Sequence, residues 1–220
     1  MTEPVQDLLT IVLATSNHGK LLELRALLAD LPLQLRSAAE VLGELPLIVE
    51  DGATFEENAL IKARAIARAT RMLSLADDSG LEVDALGGRP GVRSARFAHE
   101  RATDAENNAA LLRELEHIEE DARSARFRCV LSLVNPWQES DVHVAEGSCE
   151  GSIARTPRGS GGFGYDPLFL VSGQNGKAMA ELSEAEKNEL SHRGRAVQAL
   201  RSILFELVNA RLDEAERIAG

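Results

Sequence analysis

Asp77-Asp78, followed by Ser79-Gly80, is the stretch whose side chains best suit chemistry. Two neighbouring carboxylates repel each other and need a cation or a hydrogen-bond network in compensation. Such a pair serves as a Mg²⁺ ligand or a general base; the alternative is a solvated Asp-Asp-Ser turn. The apolar run Met72 to Ala76 has the length of a buried strand, and a turn at Gly80 would end it with the acids at the sheet's edge. Ligands of open α/β sheets collect at such strand ends.

A second polar stretch, Thr15-Ser16-Asn17-His18-Gly19-Lys20, follows the strand-like run Leu8 to Ala14 and precedes a helical face of Leu21, Leu24, Leu27 and Leu28. It has the outline of a P-loop, but Ala14 stands where the first glycine belongs and Leu21 where the metal-binding hydroxyl belongs. A P-loop NTPase is therefore a poor assignment. Backbone N–H groups at such a helix start still suit a phosphate, and Lys20 adds a mobile charge. The alternative is an N-cap by Ser16 or Asn17 beside a solvated lysine. With the hydroxyl missing, a metal needs carboxylates from elsewhere, and Glu50 and Asp78 are the best placed. Mg²⁺ commonly takes one or two and completes its shell with water and phosphate oxygens.

The glycine-rich run at 161–166 places Phe163 and Tyr165 in flexible backbone, where either ring could stack on a flat base or anchor the loop to the core. Lys187 and Ser191-His192-Arg193 fall where one helix ends and the last begins, as functional cations or as a capped surface turn.

These stretches must be held by ordinary elements. The 220 residues, 44% hydrophobic, suit one α/β domain spanning 1–220, in one or two lobes, with aliphatic packing because aromatics are only 4%. Strands are expected at Leu33 to Arg36, Ala125 to Val134, Val142 to Ala145, Ser152 to Ala154 and Leu168 to Val171, with the acidic strand continuing into Leu81 to Asp84 and Leu42 to Pro46 a connection. Capping boxes at Thr54/Glu57, Thr103/Glu106 and Ser183/Glu186 predict helix starts. A last helix carries the stripe Val197, Leu200, Ile203, Leu204, Leu207 and Val208, with a frayed tail from Asp213 to Gly220. The net charge of −11 argues against a nucleic-acid polymer as partner while leaving room for one nucleotide. Glu3 and Asp7 stand where a signal peptide would be basic, and the apolar run after them is too short to cross a membrane, so a soluble cytoplasmic protein is expected. Cys129 and Cys149 lack metal spacing and read as two buried thiols.

Taken in order, TSNHGK at 15–20, EDGATFEENALIKA from 50, ADDSGLEVDALGGRPGVRSAR from 76, TDAENNAALL from 103, GGFGYDP at 161–167 and EKNELSHRG from 186 resemble the inosine triphosphate pyrophosphatase family, also called the Ham1 family. The resemblance covers nearly the whole chain. It implies an α/β fold with an elongated, mixed, twisted β-sheet flanked by helices, in two lobes with the substrate cleft between them. It also implies Mg²⁺-dependent hydrolysis of dITP, ITP and XTP to the monophosphate and pyrophosphate by a homodimer. On the matching positions, Thr15, Ser16, Asn17, His18, Gly19 and Lys20 would bind the triphosphate, Asp78 would be the catalytic base near the metal, and Ser79 would touch substrate. Phe163, Gly164, Tyr165, Asp166, Lys187, His192 and Arg193 would hold base and sugar. Glu50 matches an acidic position near the metal, and Asp77 is the fallback ligand. Val49 and Arg93 depart from the pattern: some relatives have an acid at the first and often an aromatic at the second. A Maf-like pyrophosphatase and a non-catalytic nucleotide-binding regulator are the rival readings.

Overall fold

The structure is a computed structural model and describes residues 8–138 and 140–219. Glu3, Asp7 and Gly220, on which parts of the sequence reading rest, lie outside the described residues.

The apolar runs become six strands: β1 (Leu9–Leu13), β2 (Leu33–Ser37), β3 (Ser74–Val83), β4 (Ser124–Val134), β5 (Val142–Ile153) and β6 (Phe169–Val171). They form one mixed sheet in the order β2-β1-β3-β4-β5-β6. Pairing is parallel from β2 through β1 to β3 and antiparallel from β3 to β6. The helices are α1 (His18–Leu27), α2 (Ala38–Leu42), α3 (Phe55–Thr70), α4 (Asp104–Glu114), α5 (Glu184–Leu190) and α6 (His192–Ala219).

Because strand side chains alternate, the sheet has two apolar faces. Ile11, Leu13, Leu75, Leu131 and Leu133 meet Leu24 and Leu28 of α1 and Val197, Leu200 and Leu204 of α6. Val12, Ala14, Ala76 and Val134 meet Ala38 of α2 and Ala63, Ile66 and Ala67 of α3. At the far end, Leu81, Val83, Phe127 and Ile153 pack with Leu111, Leu115, Tyr165 and Phe169. Among the described residues no helix is long and apolar enough to cross a membrane.

The three expected capping boxes form, with Thr54, Thr103 and Ser183 accepting from the N–H groups of Glu57, Glu106 and Glu186. A fourth, Ser37 with Glu40, opens α2, which ends at Leu42, where the expected connection begins. The two short strands expected around Gly147 and Gly151 are one continuous β5. Those glycines admit close neighbours there: a Cβ at Gly147 would strike the α6 backbone, and one at Gly151 the Phe169 ring. Helix α6 continues past Asp213, the expected start of fraying, to Ala219. Arg211 and Glu214, one turn apart at 2.9 Å, tie that segment in helical register.

The acidic pair does not end a strand. Asp77 and Asp78 lie in the middle of β3, which runs on through Gly80 to Val83 along β4. Gly80 looks like a turn residue because its bare backbone is needed for another purpose. A Cβ there would collide with Ser94 Oγ and the Gly91 carbonyl, so the glycine lets the 3-10 segment Gly91–Arg96 pack on the strand. Ser94 Oγ accepts from the Leu81 N–H at 2.8 Å across that contact.

Candidate active site

The strand end that makes the site belongs to β1. It pairs with β3 only at Val12↔Ser74 and Leu13↔Leu75, after which the chain turns away. The last link is Ala14 N–H donating to the Leu75 carbonyl at 2.8 Å. Beyond it, Asp77, Asp78 and Ser79 lose their neighbour on that side, and the loop at 15–17 leads over the gap into α1. Asn17 is the N-cap, its Oδ1 accepting from Lys20 N–H at 3.0 Å. Capping by Asn17 does not leave the lysine in solvent: Lys20 Nζ donates to Asp77 Oδ1 at 2.6 Å.

Asp77 is fully buried on the α6 face and receives four donors. Lys20 and the Ser79 hydroxyl (2.8 Å) reach Oδ1, while Arg193 Nε (2.7 Å) and Cys129 Sγ (3.2 Å) reach Oδ2. Burial alone would raise its pKa, but Arg193 and Lys20 outweigh it and hold the carboxyl well below the usual range. The Cys129 thiol, by contrast, is pushed well above its ordinary value by burial and by Asp77, so it is a neutral donor.

From Asp77 an unbroken line of alternating charges crosses the site. Arg193 also pairs with Glu23 of α1; Glu23 takes Lys187 at 2.6 Å, and Lys187 takes Asp166 at 2.7 Å. Its order is therefore Lys20, Asp77, Arg193, Glu23, Lys187, Asp166. Every member has an opposite charge beside it, which lets six ionised groups share one partly dry region.

Asp78 faces the other side of the sheet. Lys62 of α3 donates to its Oδ1 at 2.6 Å and meets Glu50 Oε2 at 2.8 Å. Burial raises the Asp78 pKa, against the opposing pull of Lys62 and Lys20, which suits a proton acceptor that must let go again. Burial also works to lower the Lys62 pKa, but Asp78 and Glu50 carry it above the ordinary lysine value.

Among the described residues no three His, Cys, Asp or Glu side chains converge on a point. A metal would therefore find a carboxylate pair at most, and the oxygens of Asp78 and Glu50 already converge on one cation, the Lys62 ammonium. That donor set fits Mg²⁺, which takes few carboxylates and keeps water and phosphate oxygens in its shell.

Two adjoining cavities result. Thr15, Ser16, Glu50, Lys62, Asp77 and Asp78 line one. Phe163, Gly164, Tyr165, Asp166, Lys187, His192 and Arg193 line the other. Asn17, Lys20, Ser79 and Ala95 border both. His18 lines neither, and Gly19 lies beneath the Phe163 ring, where a Cβ would come within 2.6 Å of Cδ1.

The two rings of the glycine loop have different fates. Tyr165 anchors it: the ring is buried in the core and the hydroxyl donates to the Ser94 carbonyl at 2.8 Å. Phe163 stays half-exposed, with Lys187 Nζ 5.1 Å and Arg193 Cζ 5.8 Å from its centroid. Asp166 accepts from Phe163 N–H at 3.0 Å as well as from Lys187, so it fixes both loop and lysine. His192 stacks on Phe127 with centroids 4.8 Å apart. Burial and the neighbouring Arg193 hold its pKa well below the ordinary value, and its Nδ1 is buried without a partner. Ser191 caps the turn into α6, its hydroxyl accepting from Gly194 N–H at 3.1 Å.

Sequence reasoning passed over Lys62, Glu23, Asp104 and Asn108. For Lys62 the signal was present: it falls on the stripe Ala59, Lys62, Ala63, Ile66, Ala67, and a lysine on a buried helix face needs a buried anion. Glu23 lies three residues after Lys20, hence on the same face of α1. Asp104 and Asn108 gave no such signal, because their shared partner, Gly164, is distant in sequence.

The model of the Ham1 family matches residues 11–203. A dITP/XTP pyrophosphatase of Desulforamulus reducens is 51% identical over 197 residues, 90% of this chain and 96% of the relative. One from Bacillus licheniformis is 49% identical over 194 residues, 88% of this chain and 97% of the relative. Among solved structures, a HAM1 protein from Coxiella burnetii superposes with a TM-score of 0.81 at 45% identity, covering 90% of this chain and 100% of the other. A nucleoside-triphosphatase, dITP/XTP pyrophosphatase, from Mycobacterium abscessus gives 0.70 at 45% identity, over 87% and 98% of the two chains.

Proposed function

The chain belongs to the Ham1 family, and on that premise we propose that it hydrolyses dITP, XTP and ITP to the nucleoside monophosphate and pyrophosphate with Mg²⁺. The observation that carries this reading is the junction of the two cavities at Asn17, Lys20 and Ser79. A nucleotide with its base beside Phe163 and His192 has its phosphates beside Lys20 and the α1 N-terminus.

In this reading Asp78 and Glu50 hold the metal in preference to Asp77, whose two oxygens are each occupied by two donors. Bound there, Mg²⁺ would neutralise phosphate oxygens and acidify a coordinated water. Asp78 accepts the proton of the water that attacks the α-phosphorus. Lys20 and the N–H groups of the 15–20 loop stabilise the charge developing on the leaving pyrophosphate. Asp77 orients Lys20 and Arg193 by its fixed negative charge. Phosphoryl transfer asks chiefly for position and charge, so no Ser, Cys or His nucleophile is required.

Specificity follows from donor and acceptor placement. Hypoxanthine and xanthine offer an acceptor at O6, and Lys187, His192, Arg193 or loop N–H groups can donate to it. Adenine offers an amino donor there, which would leave two donors facing each other in a dry site. The same reading makes residues 1–220 a single two-lobed domain with the cleft between the lobes, acting as a cytoplasmic homodimer.

Pyrophosphate release from dITP, XTP, ITP and the four standard dNTPs, with and without Mg²⁺, tests the proposal. The expected result is Mg²⁺-dependent turnover of the hypoxanthine and xanthine nucleotides and little of dATP. Equal cleavage of the four standard dNTPs, or none of dITP, overturns it.

A further inference from the structure

Lys62 is placed where ordinary packing would put an aliphatic residue. It sits on the buried stripe of α3 between Ala59, Ala63 and Ile66, and only about a tenth of its side chain meets solvent. A lysine there must find anions for its ammonium, and it meets Asp78 at 2.6 Å and Glu50 at 2.8 Å. These are the two carboxylates that the reading above assigns to the metal. One unit of positive charge thus already lies where a second cation would have to bind, and two cations cannot share the pair without strong repulsion.

We infer that Lys62 is an internal counter-cation that fills the Asp78–Glu50 pair until a triphosphate arrives, and that divalent metal takes these carboxylates by displacing it. The lysine stem is flexible, and Lys62 lines the same cavity as Thr15, Ser16 and Lys20, where the phosphates would lie. A triphosphate therefore supplies both things the exchange requires: a new anionic partner for the released ammonium and additional oxygens for the metal. Metal and nucleotide then bind with positive coupling, each tightening the other by the same factor. In the absence of nucleotide, the lysine neutralises both acids and keeps metal affinity low.

The inference rests on the assignment of Asp78 and Glu50 as metal ligands, and its test separates the two. Mn²⁺ binding is measured by the electron paramagnetic resonance of free Mn²⁺, with the full-length protein at pH 8, first alone and then with a non-hydrolysable α,β-imido analogue of dITP. The wild type is expected to bind Mn²⁺ weakly alone and tightly with the analogue. Lys62→Met is expected to bind Mn²⁺ alone at least about tenfold more tightly than the wild type, and to gain less on adding the analogue. Lys62→Gln serves as second variant, and circular dichroism verifies folding of both. Unchanged or weaker Mn²⁺ binding by the folded variants overturns the counter-cation role while leaving the ligand assignment intact. Failure of both wild type and variants to bind Mn²⁺ even with the analogue overturns the ligand assignment and the inference with it.

Discussion

Asp77 and Asp78 are adjacent in β3 and face opposite sides of the sheet, the first toward Arg193 and Lys20, the second toward Lys62. The strand alternation that separates them also separates their work. Asp77→Asn removes the charge between Arg193 and Lys20, and breaking a buried pair by losing one member costs about 3–5 kcal/mol, to be read by urea unfolding. Asp78→Asn leaves Lys62 paired with Glu50, so the fold is expected to persist while turnover of dITP falls by about 10²–10⁴. Near-normal turnover in folded Asp78→Asn would remove this residue from the chemistry.

The depressed pKa of His192 has a signed consequence for stability. Below the ordinary histidine value of about 6.5 the unfolded chain binds a proton that the buried ring refuses, so stability is present above that pH and lost as pH falls. The contribution to the slope approaches about 1.4 kcal/mol per pH unit below that value. His192→Gln is expected to be less stable at pH 8, for loss of the Phe127 stack, yet to have a shallower decline from pH 6.5 to 5. Parallel stability profiles for the two proteins would contradict a neutral buried ring.

Gly80 offers a packing test. A Cβ on it would collide with Ser94 Oγ and the Gly91 carbonyl of the 3-10 segment, and the backbone half of that clash cannot swing aside. Gly80→Ala is expected to cost about 1–3 kcal/mol by overpacking and to raise the KM for dITP, because Ser94 and Ala95 line the base-side cavity. Differential scanning calorimetry with steady-state kinetics measures both.

Gly80 also shows where the sequence was legible and where it was not. Elements with local signals were read closely: the boxes at Thr54, Thr103 and Ser183 mark three helix starts, and the alternation from Ala125 to Val134 gives β4 within a residue. Reading Gly80 as a turn failed because a glycine needed for close approach has the same composition as one needed for a reversal. The motifs picked out Lys20, Asp78 and His192, which the structure places around the two adjoining cavities, while the chain of charges between them was not read. Glu23 pairs with Arg193 across 170 positions, a relationship that no local pattern contains.

Asp104 and Asn108, one turn apart on α4, hold both polar groups of a single residue in the base-side loop. Asp104 Oδ2 accepts from Gly164 N–H at 2.7 Å, and Asn108 Nδ2 donates to the Gly164 carbonyl at 2.9 Å. Gly164 has φ +60°, a conformation any other residue resists, and it sits between Phe163, which faces the cavity, and Tyr165, which anchors the loop. Releasing its peptide lets the Phe163 ring wander without touching Asp78 or Lys20. Asp104→Ala and Asn108→Leu are therefore expected to raise the KM for dITP by up to about tenfold, the equivalent of one hydrogen bond, with kcat nearly unchanged. Asp104→Asn keeps an acceptor for the Gly164 N–H and is expected to restore most of the loss. A fall in kcat at constant KM, or no rescue by Asp104→Asn, would show that α4 does not set the loop's position.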